Sequence, residues 1–250
     1  MRSIRITDAM GHGEFIWCDL SAYDPKTARA FYTQLFGWVW IEEDGSHLAS
    51  IAHKPVASVY QMPSKFIDMG MPSFWMSYIF VESASDTAAT AERLGGKVEL
   101  GPAVYQDRSA FALIRDPLGA GFTVIDTSPT KGATKGPGAR LGHALFASDV
   151  TAIRDFYTGL FGWSFEGIGG GIFAVHHRDK LLFYAHEIPD PAVRGQEQYW
   201  SVLFADAGGR AAIEAHRGSK ISEFDLPEGH ATLAFDPQKA AFMTVRAQDA

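Results

Sequence analysis

Few side chains with chemical reach are spread along this chain of 250 residues. Asp19 stands in "WCDLSA", two residues after Trp17, so on an extended strand the two share a face. A carboxylate beside an indole is either a ligand-binding pair or a solvated strand acid with a packed tryptophan. His186 and Glu187 are neighbours of metal-ligating type. His53, His176 and His177 fall in turns, where a solvated imidazole is the default. Cys18 is the sole cysteine, which excludes an internal disulfide and suits a reducing cytoplasm. The run "GIGGG" (167–171) has the glycines of a phosphate loop, but no Lys-Ser or Lys-Thr follows and no helix begins there. It reads as a hairpin turn.

Composition narrows the partners. The apolar fraction is 46% with 13% aromatic residues, enough for a substantial core and against disorder. The formal charge is −7, with 29 acids against 22 bases and no basic stripe. Duplex nucleic acid and anionic membrane surfaces are disfavoured partners on that ground. The opening "MRSIRITDAMGHGEF" lacks the apolar core of a secretory signal, and no apolar run is long enough to span a bilayer. The expectation is a soluble cytoplasmic protein.

The elements that must position these residues come in duplicate. "FYTQLFGW" at 31–38 returns as "FYTGLFGW" at 156–163, and Asp24 and Trp75 match Asp149 and Trp200 at the same offset. "DPLGAGFTV" from Asp116 is answered by "DPQKAAFMTV" from Asp236. Between the copies, "TSPTKGATKGPGAR" has the composition of a linker. Two domains are expected, 1–127 and 140–250, joined by 128–139. Asp24-Pro25 announces a helix, and Ala28, Phe31, Tyr32 and Leu35 form one apolar stripe along it. Ile153, Phe156, Tyr157 and Leu160 repeat the stripe. Gly37 and Gly162 stand where a left-handed cap would stop each helix. Strands follow, with hairpin turns at Asp44-Gly45 and at 176–180. Each copy then runs strand, short helix ("SDTAATAERLGG"; "GGRAAIEAHRGSK"), strand, strand, strand. The result is four βαβββ units in an α+β fold.

Paired βαβββ units with "D…FY…LFGW" after the first strand and "DP" before the last resemble the vicinal oxygen chelate superfamily. That group includes glyoxalase I, bleomycin-resistance proteins and extradiol dioxygenases, and this chain is similar to its tandem two-domain, glyoxalase-like branch. The resemblance covers nearly the whole chain apart from the first dozen residues and the linker. It implies that each domain curls a mixed sheet, made from two units, into a cleft where function resides. The fold hosts several chemistries, so the resemblance does not name one.

Metal-dependent members of the family take His or Glu ligands from four cleft strands. The corresponding places here are Trp17 and Gly142 on the first strands, Met76 and Ser201 on the next set, and Thr123 and Met243 on the last. None suits Zn²⁺ or Fe²⁺. His143 is one residue away from the expected place, which turns it to the helix side, where a satisfied interior histidine is the ordinary case. The strand from Val56 to Met62 holds no acid or histidine. The expectation is therefore no metal and no cofactor, with a divalent metal as the alternative.

With the same parity, the first cleft should present Trp17, Asp19, Ser58, Tyr60, Met76, Tyr78 and Thr123. These are aromatic walls with a few polar groups, the make-up of a small-molecule pocket. Phe146 and Met243 are the corresponding candidates in the blander second cleft. The leading expectation is a bleomycin-resistance-like binder of a planar or aromatic small molecule. The alternatives are a divergent lyase, isomerase or dioxygenase using His186, Glu187 and His143, and an interaction role with both clefts vestigial. In either case the tandem would pack as an intrachain pseudo-dimer.

Overall fold

A computed structural model describes residues 11–43, 45–105, 109–127, 136–188, 198–226 and 229–247. Asp44 and most of the 128–139 segment lie outside the described residues. The first half runs β1 (Phe15–Ala22), α1 (Pro25–Phe36), β2 (Val39–Glu43), β3 (Ser46–Ile51), β4 (Lys54–Gln61), α2 (Ser64–Asp68), β5 (Phe74–Phe80), α3 (Ala84–Arg93), β6 (Lys97–Tyr105), β7 (Ser109–Arg115) and β8 (Gly121–Ile125). The second half repeats it as β9 (Arg140–Ala147), α4 (Val150–Phe161), β10 (Ser164–Gly169), β11 (Ile172–His177), β12 (Lys180–Glu187), β13 (Tyr199–Ala205), α5 (Gly209–Ala215), β14 (Ser219–Leu226), β15 (Gly229–Phe235) and β16 (Ala241–Ala247). Only the five-residue α2 has no counterpart in the sequence reading. It is too short for helical periodicity to show.

Each half forms one eight-stranded mixed sheet, ordered β2-β3-β4-β1-β5-β8-β7-β6 and β10-β11-β12-β9-β13-β16-β15-β14. Local chemistry sets the helix ends. The Asp24 carboxylate accepts from the Lys26 N–H, and that of Asp149 accepts from the Ala152 N–H. Gly37 and Gly162 stop α1 and α4 in the left-handed region, at φ 71° and 73°.

The two domains share their interiors. One core joins Ile79, Ala88, Ile114 and Phe122 of the first half to Phe156, Tyr157, Trp163 and Trp200 of the second. The other joins Leu20, Phe31, Tyr32 and Trp38 to Val202, Phe204 and Phe242. Each unit of one domain therefore buries its helix side against the opposite unit of the other. A single βαβββ unit could not bury its apolar helix face alone, and the tandem resolves this internally.

Polar groups pin this interface at symmetric places. The Trp75 indole N–H donates to the Tyr32 hydroxyl (3.0 Å), which donates to Asp236 Oδ2 (3.3 Å). The Trp200 indole donates to Tyr157 (3.2 Å), which donates to Asp116 Oδ2 (2.9 Å). Trp38 donates to the segment that leads into the second domain, at Gly138 O (3.1 Å), and Trp163 to the first domain, at Gly13 O (3.0 Å). Both aspartates also tie their own turns: Asp236 Oδ1 accepts from the Gln238 and Ala240 N–H groups, and Asp116 Oδ1 from Leu118, Gly119 and Ala120.

Burial raises both carboxyl pKa values, that of Asp236 to about 6. A carboxylate whose folded pKa exceeds its unfolded value binds its proton more tightly in the native state, so stability falls as pH rises between the two values. For Asp236 that window runs from the reference 3.8 to about 6, and it costs about 3 kcal/mol across its width. Asp236→Asn, which cannot ionise, is expected to gain stability relative to wild type by about that amount as pH is raised from 4 to 7. Urea melts of both proteins at several pH values check this. Parallel stability-pH curves would refute it.

Candidate functional site

Strand parity decides what each sheet shows its cleft. On β1, Ile16, Cys18 and Leu20 are buried toward the helices, while Trp17 and Asp19 keep part of their surface on the other side. Pairing registers bring the cleft residues of neighbouring strands side by side. Asp19 lies opposite Ser58 on β4 and Met76 on β5, Ser21 opposite Tyr60, and Trp17 opposite Tyr78, which in turn faces Thr123 on β8. All seven candidates of the first cleft thus share one face of one sheet.

Asp19 is the centre of a hydrogen-bonded floor. The Trp17 indole N–H donates to Asp19 Oδ1 (2.7 Å) and to Ser58 Oγ (2.8 Å). Ser58 Oγ donates to Asp19 Oδ1 in a short hydrogen bond, and the Tyr78 hydroxyl donates to the same carboxylate. Burial raises the Asp19 pKa, against the opposing pull of the Ser58, Tyr78 and Trp17 donors. Desolvation and the Asp19 charge push Tyr60 up to about 12 and hold Tyr78 well above the ordinary phenol value, so both stay neutral phenols. Cys18, on the helix side, is fully buried and pushed up to about 12 by burial, an inert thiol.

The second cleft replaces every one of these groups. By register, Ala144 stands where Asp19 does, Tyr184 for Ser58, Ser201 for Met76, Leu203 for Tyr78 and Met243 for Thr123. Phe146 stacks between His186 (4.9 Å) and Tyr199 (5.0 Å), and Met243 is fully buried in an apolar cluster with Tyr184, Leu226 and Leu233. An open cavity of about 730 Å³ is lined by Gly142, Leu182, Tyr184, Leu203, Leu226 and Val245. A second, of about 320 Å³, adjoins it at the domain junction and is lined by Glu14, Arg140, His143, His177 and Lys180 among others. Neither is lined by Trp17 or Asp19. Gly142 occupies the place of Trp17, and no side chain enters the second cleft from that position.

The donor set does not fit a metal. Among the described residues, no three His, Cys, Asp or Glu side chains come together in a way that could hold an ion. The rearranged trio also fails to converge. The His143 ring is buried on the helix side, stacked on Phe15 (4.1 Å) and hydrogen-bonded through Nδ1 to Ser77 Oγ (2.8 Å). Burial and the neighbouring Arg140 charge hold its pKa well below the usual range. His186 faces the second cleft, where burial lowers its pKa to about 4, and Glu187, one residue on, lies across the strand from it. The sequence reading lacked the cross-domain Trp-Tyr-Asp sets, because nothing in one strand or helix signals a partner in another unit.

These two sheets, their four βαβββ units and their paired clefts are the vicinal oxygen chelate fold in its tandem two-domain form. No family model matches the chain. It is 28% identical over 265 aligned residues to the anthracycline biosynthesis protein DnrV of Streptomyces peucetius, covering 93% of each chain. Among solved structures it is similar to the 2,3-dioxygenase LapB from Pseudomonas sp. KL28, with a TM-score of 0.64 and 12% identity over 96% of this chain and 94% of that one. The Mn(II)-bound glyoxalase from Novosphingobium aromaticivorans gives a TM-score of 0.62 at 14% identity, over 94% and 82% of the two chains. Among the described residues no helix is long and apolar enough to cross a membrane.

Proposed function

We propose that the protein binds a planar, aromatic small molecule in its first cleft, without a metal, in the manner of the bleomycin-resistance type. The observation that carries this reading is the Asp19 floor. The carboxylate of the partly exposed residue Asp19, held by Trp17, Ser58 and Tyr78 between aromatic side chains, would offer one charge-assisted hydrogen bond and flat apolar walls. Tyr60 would supply a second polar contact, and Met76 and Thr123 the remaining lining. The name of DnrV links that relative to anthracyclines, which are planar polycycles, and this supports the same ligand class here.

Titrating a library of phenolic and quinoid aromatics against the full chain tests the reading. A ligand at a hundred times its Kd should add about 2.7 kcal/mol of stability. That corresponds to a rise in Tm of roughly 5–10 °C for a chain of this size. The shift should vanish in Asp19→Ala while the unliganded variant still melts cooperatively. A library without a single shift, or shifts untouched by Asp19→Ala, would remove the first cleft from consideration.

The 730 Å³ cavity favours a second reading, an apolar ligand in the second cleft. A Cβ at Gly142 would meet nothing within 4 Å and the residue lines the cavity, so the side chain of Gly142→Trp is expected to project into that space. Loss of binding in Gly142→Trp with retention in Asp19→Ala would assign the ligand to the second cleft. The metal-dependent alternative predicts one stoichiometric transition metal in untagged protein, lost in His186→Ala.

A further inference from the structure

The Asp19 constellation contains more than a binding site needs. A pocket that only held a planar ligand could use neutral hydrogen-bond groups, which bury at lower cost than a carboxylate. Here a carboxylate sits at the cleft floor with three donors on it, and part of its surface is left facing the cleft. Beside it, two residues along the same face, Tyr60 presents a phenol whose own ionisation the Asp19 charge opposes. A base and a neutral O–H donor on one aromatic-walled surface are the two parts required to take a proton from carbon and to receive the charge that results.

We propose that the first cleft is a metal-free acid–base site in which Asp19 removes a proton from an activated C–H of a planar ligand and Tyr60 donates a hydrogen bond to the oxyanion that forms. This rests on the reading that the first cleft binds such a ligand, and adds an activity to it. In the step, the C–H bond breaks toward the Asp19 carboxylate, which becomes the neutral acid. The electron pair passes through the conjugated system to the ligand oxygen, and the proton returns from Asp19 to product or to water. No oxidant, reductant or metal is consumed. Trp17, Ser58 and Tyr78 are positioning residues that hold the carboxylate plane and set its basicity.

The groups facing Asp19 make its ionisation readable. Tyr60 comes from β4, Tyr78 from β5 and Cys18 from its own strand, with the Arg140 charge of β9 felt at Cys18. All but Asp19 keep one charge state from about pH 4 to pH 9, since both phenols and the thiol are held far above that range and guanidinium does not deprotonate in proteins. A rate that depends on one ionisation inside that range therefore reports Asp19.

The probe is 5-nitrobenzisoxazole, a flat aromatic whose ring opens when a base takes its single acidic C–H. The C–H pair becomes part of the nitrile, the N–O bond breaks, and a yellow 2-cyano-4-nitrophenolate is released. Binding is measured separately by equilibrium dialysis. The expected result is saturable turnover that rises with pH above the ordinary carboxylate range and falls about 100-fold in Asp19→Asn. Asp19→Asn should still melt cooperatively, turnover of each variant is compared at probe concentrations that saturate it by dialysis, and Asp19→Glu should recover part of the rate. Tyr78→Phe removes a donor that lowers the Asp19 pKa, so its rate profile should shift to higher pH. Probe that binds but turns over equally in wild type and Asp19→Asn overturns the proposal and leaves the binding reading standing. Failure of the probe to bind overturns the proposal, while the binding reading is decided separately by the aromatic library.

Discussion

Tyr157→Phe is expected to destabilise the protein by about 2–4 kcal/mol, although it removes one oxygen atom far from either cleft. The hydroxyl is fully buried, accepts from the Trp200 indole and donates to Asp116 Oδ2 at 2.9 Å. Without it, a buried indole N–H has no acceptor and a buried carboxylate loses a donor while remaining cut off from water. Two unmade bonds in a dry core cost more than the net worth of two bonds made. Tyr32→Phe should cost less, because its bond to Asp236 is longer at 3.3 Å. Guanidinium denaturation midpoints of the two variants decide the matter. Since Tyr157 belongs to one domain and Asp116 to the other, a single transition that moves as a whole is expected. Separate unfolding of one half in Tyr157→Phe would contradict shared cores.

The second large effect is expected at Gly138, where alanine should cost about 3 kcal/mol or more. The residue sits at φ 70°, in the left-handed region, and a Cβ there would lie 2.4 Å from Phe36 Cβ and 2.7 Å from Trp38 Nε1. Backbone strain and a hard clash therefore add. The clash is with the ring-bearing side chains of Phe36, at the end of α1, and Trp38, just before β2, which are themselves packed against the opposite domain and cannot yield cheaply. Gly37→Ala is the control for strain alone. It shares a φ of 71° but meets nothing within 4 Å, and should cost only about 1 kcal/mol. Equal losses in the two variants, by chemical denaturation, would mean that the domain junction is looser than this packing implies.

Both predictions concern residues of the repeated phrase or their immediate partners, and this changes what the repeat means. In the sequence, "FYT.LFGW" marks a helix stripe, a glycine stop and a strand. In the structure its tyrosine and tryptophan are also the residues that reach across the junction, Tyr32 to Asp236 and Trp38 to Gly138 of the connecting segment, Tyr157 to Asp116 and Trp163 to Gly13. Duplication conserves this junction in both copies, while the clefts on the outer faces have diverged. Trp17 and Asp19 answer to Gly142 and Ala144.

Much of this was legible in one dimension because the signals are local. The four βαβββ units follow from apolar period and from Asp-Pro and Gly punctuation. The side of the sheet taken by Trp17, Asp19, Met76, Tyr78 and Thr123 follows from two-residue alternation, once one position per strand is known. The expectation of no metal rests on residue type alone, since Trp, Gly, Met and Thr are poor ligands wherever they stand. Tertiary structure alone decided three things. It set which unit packs on which, through contacts between separate units such as Tyr157 with Asp116 and Tyr32 with Asp236. It opened a cavity in the second cleft, because a cavity depends on how residues such as Gly142 and Leu182 are spaced rather than on either residue. And it joined Trp17, Ser58 and Tyr78 to Asp19, since a hydrogen bond needs donor and acceptor within about 3 Å in the right direction, a condition that no spacing along the chain can express.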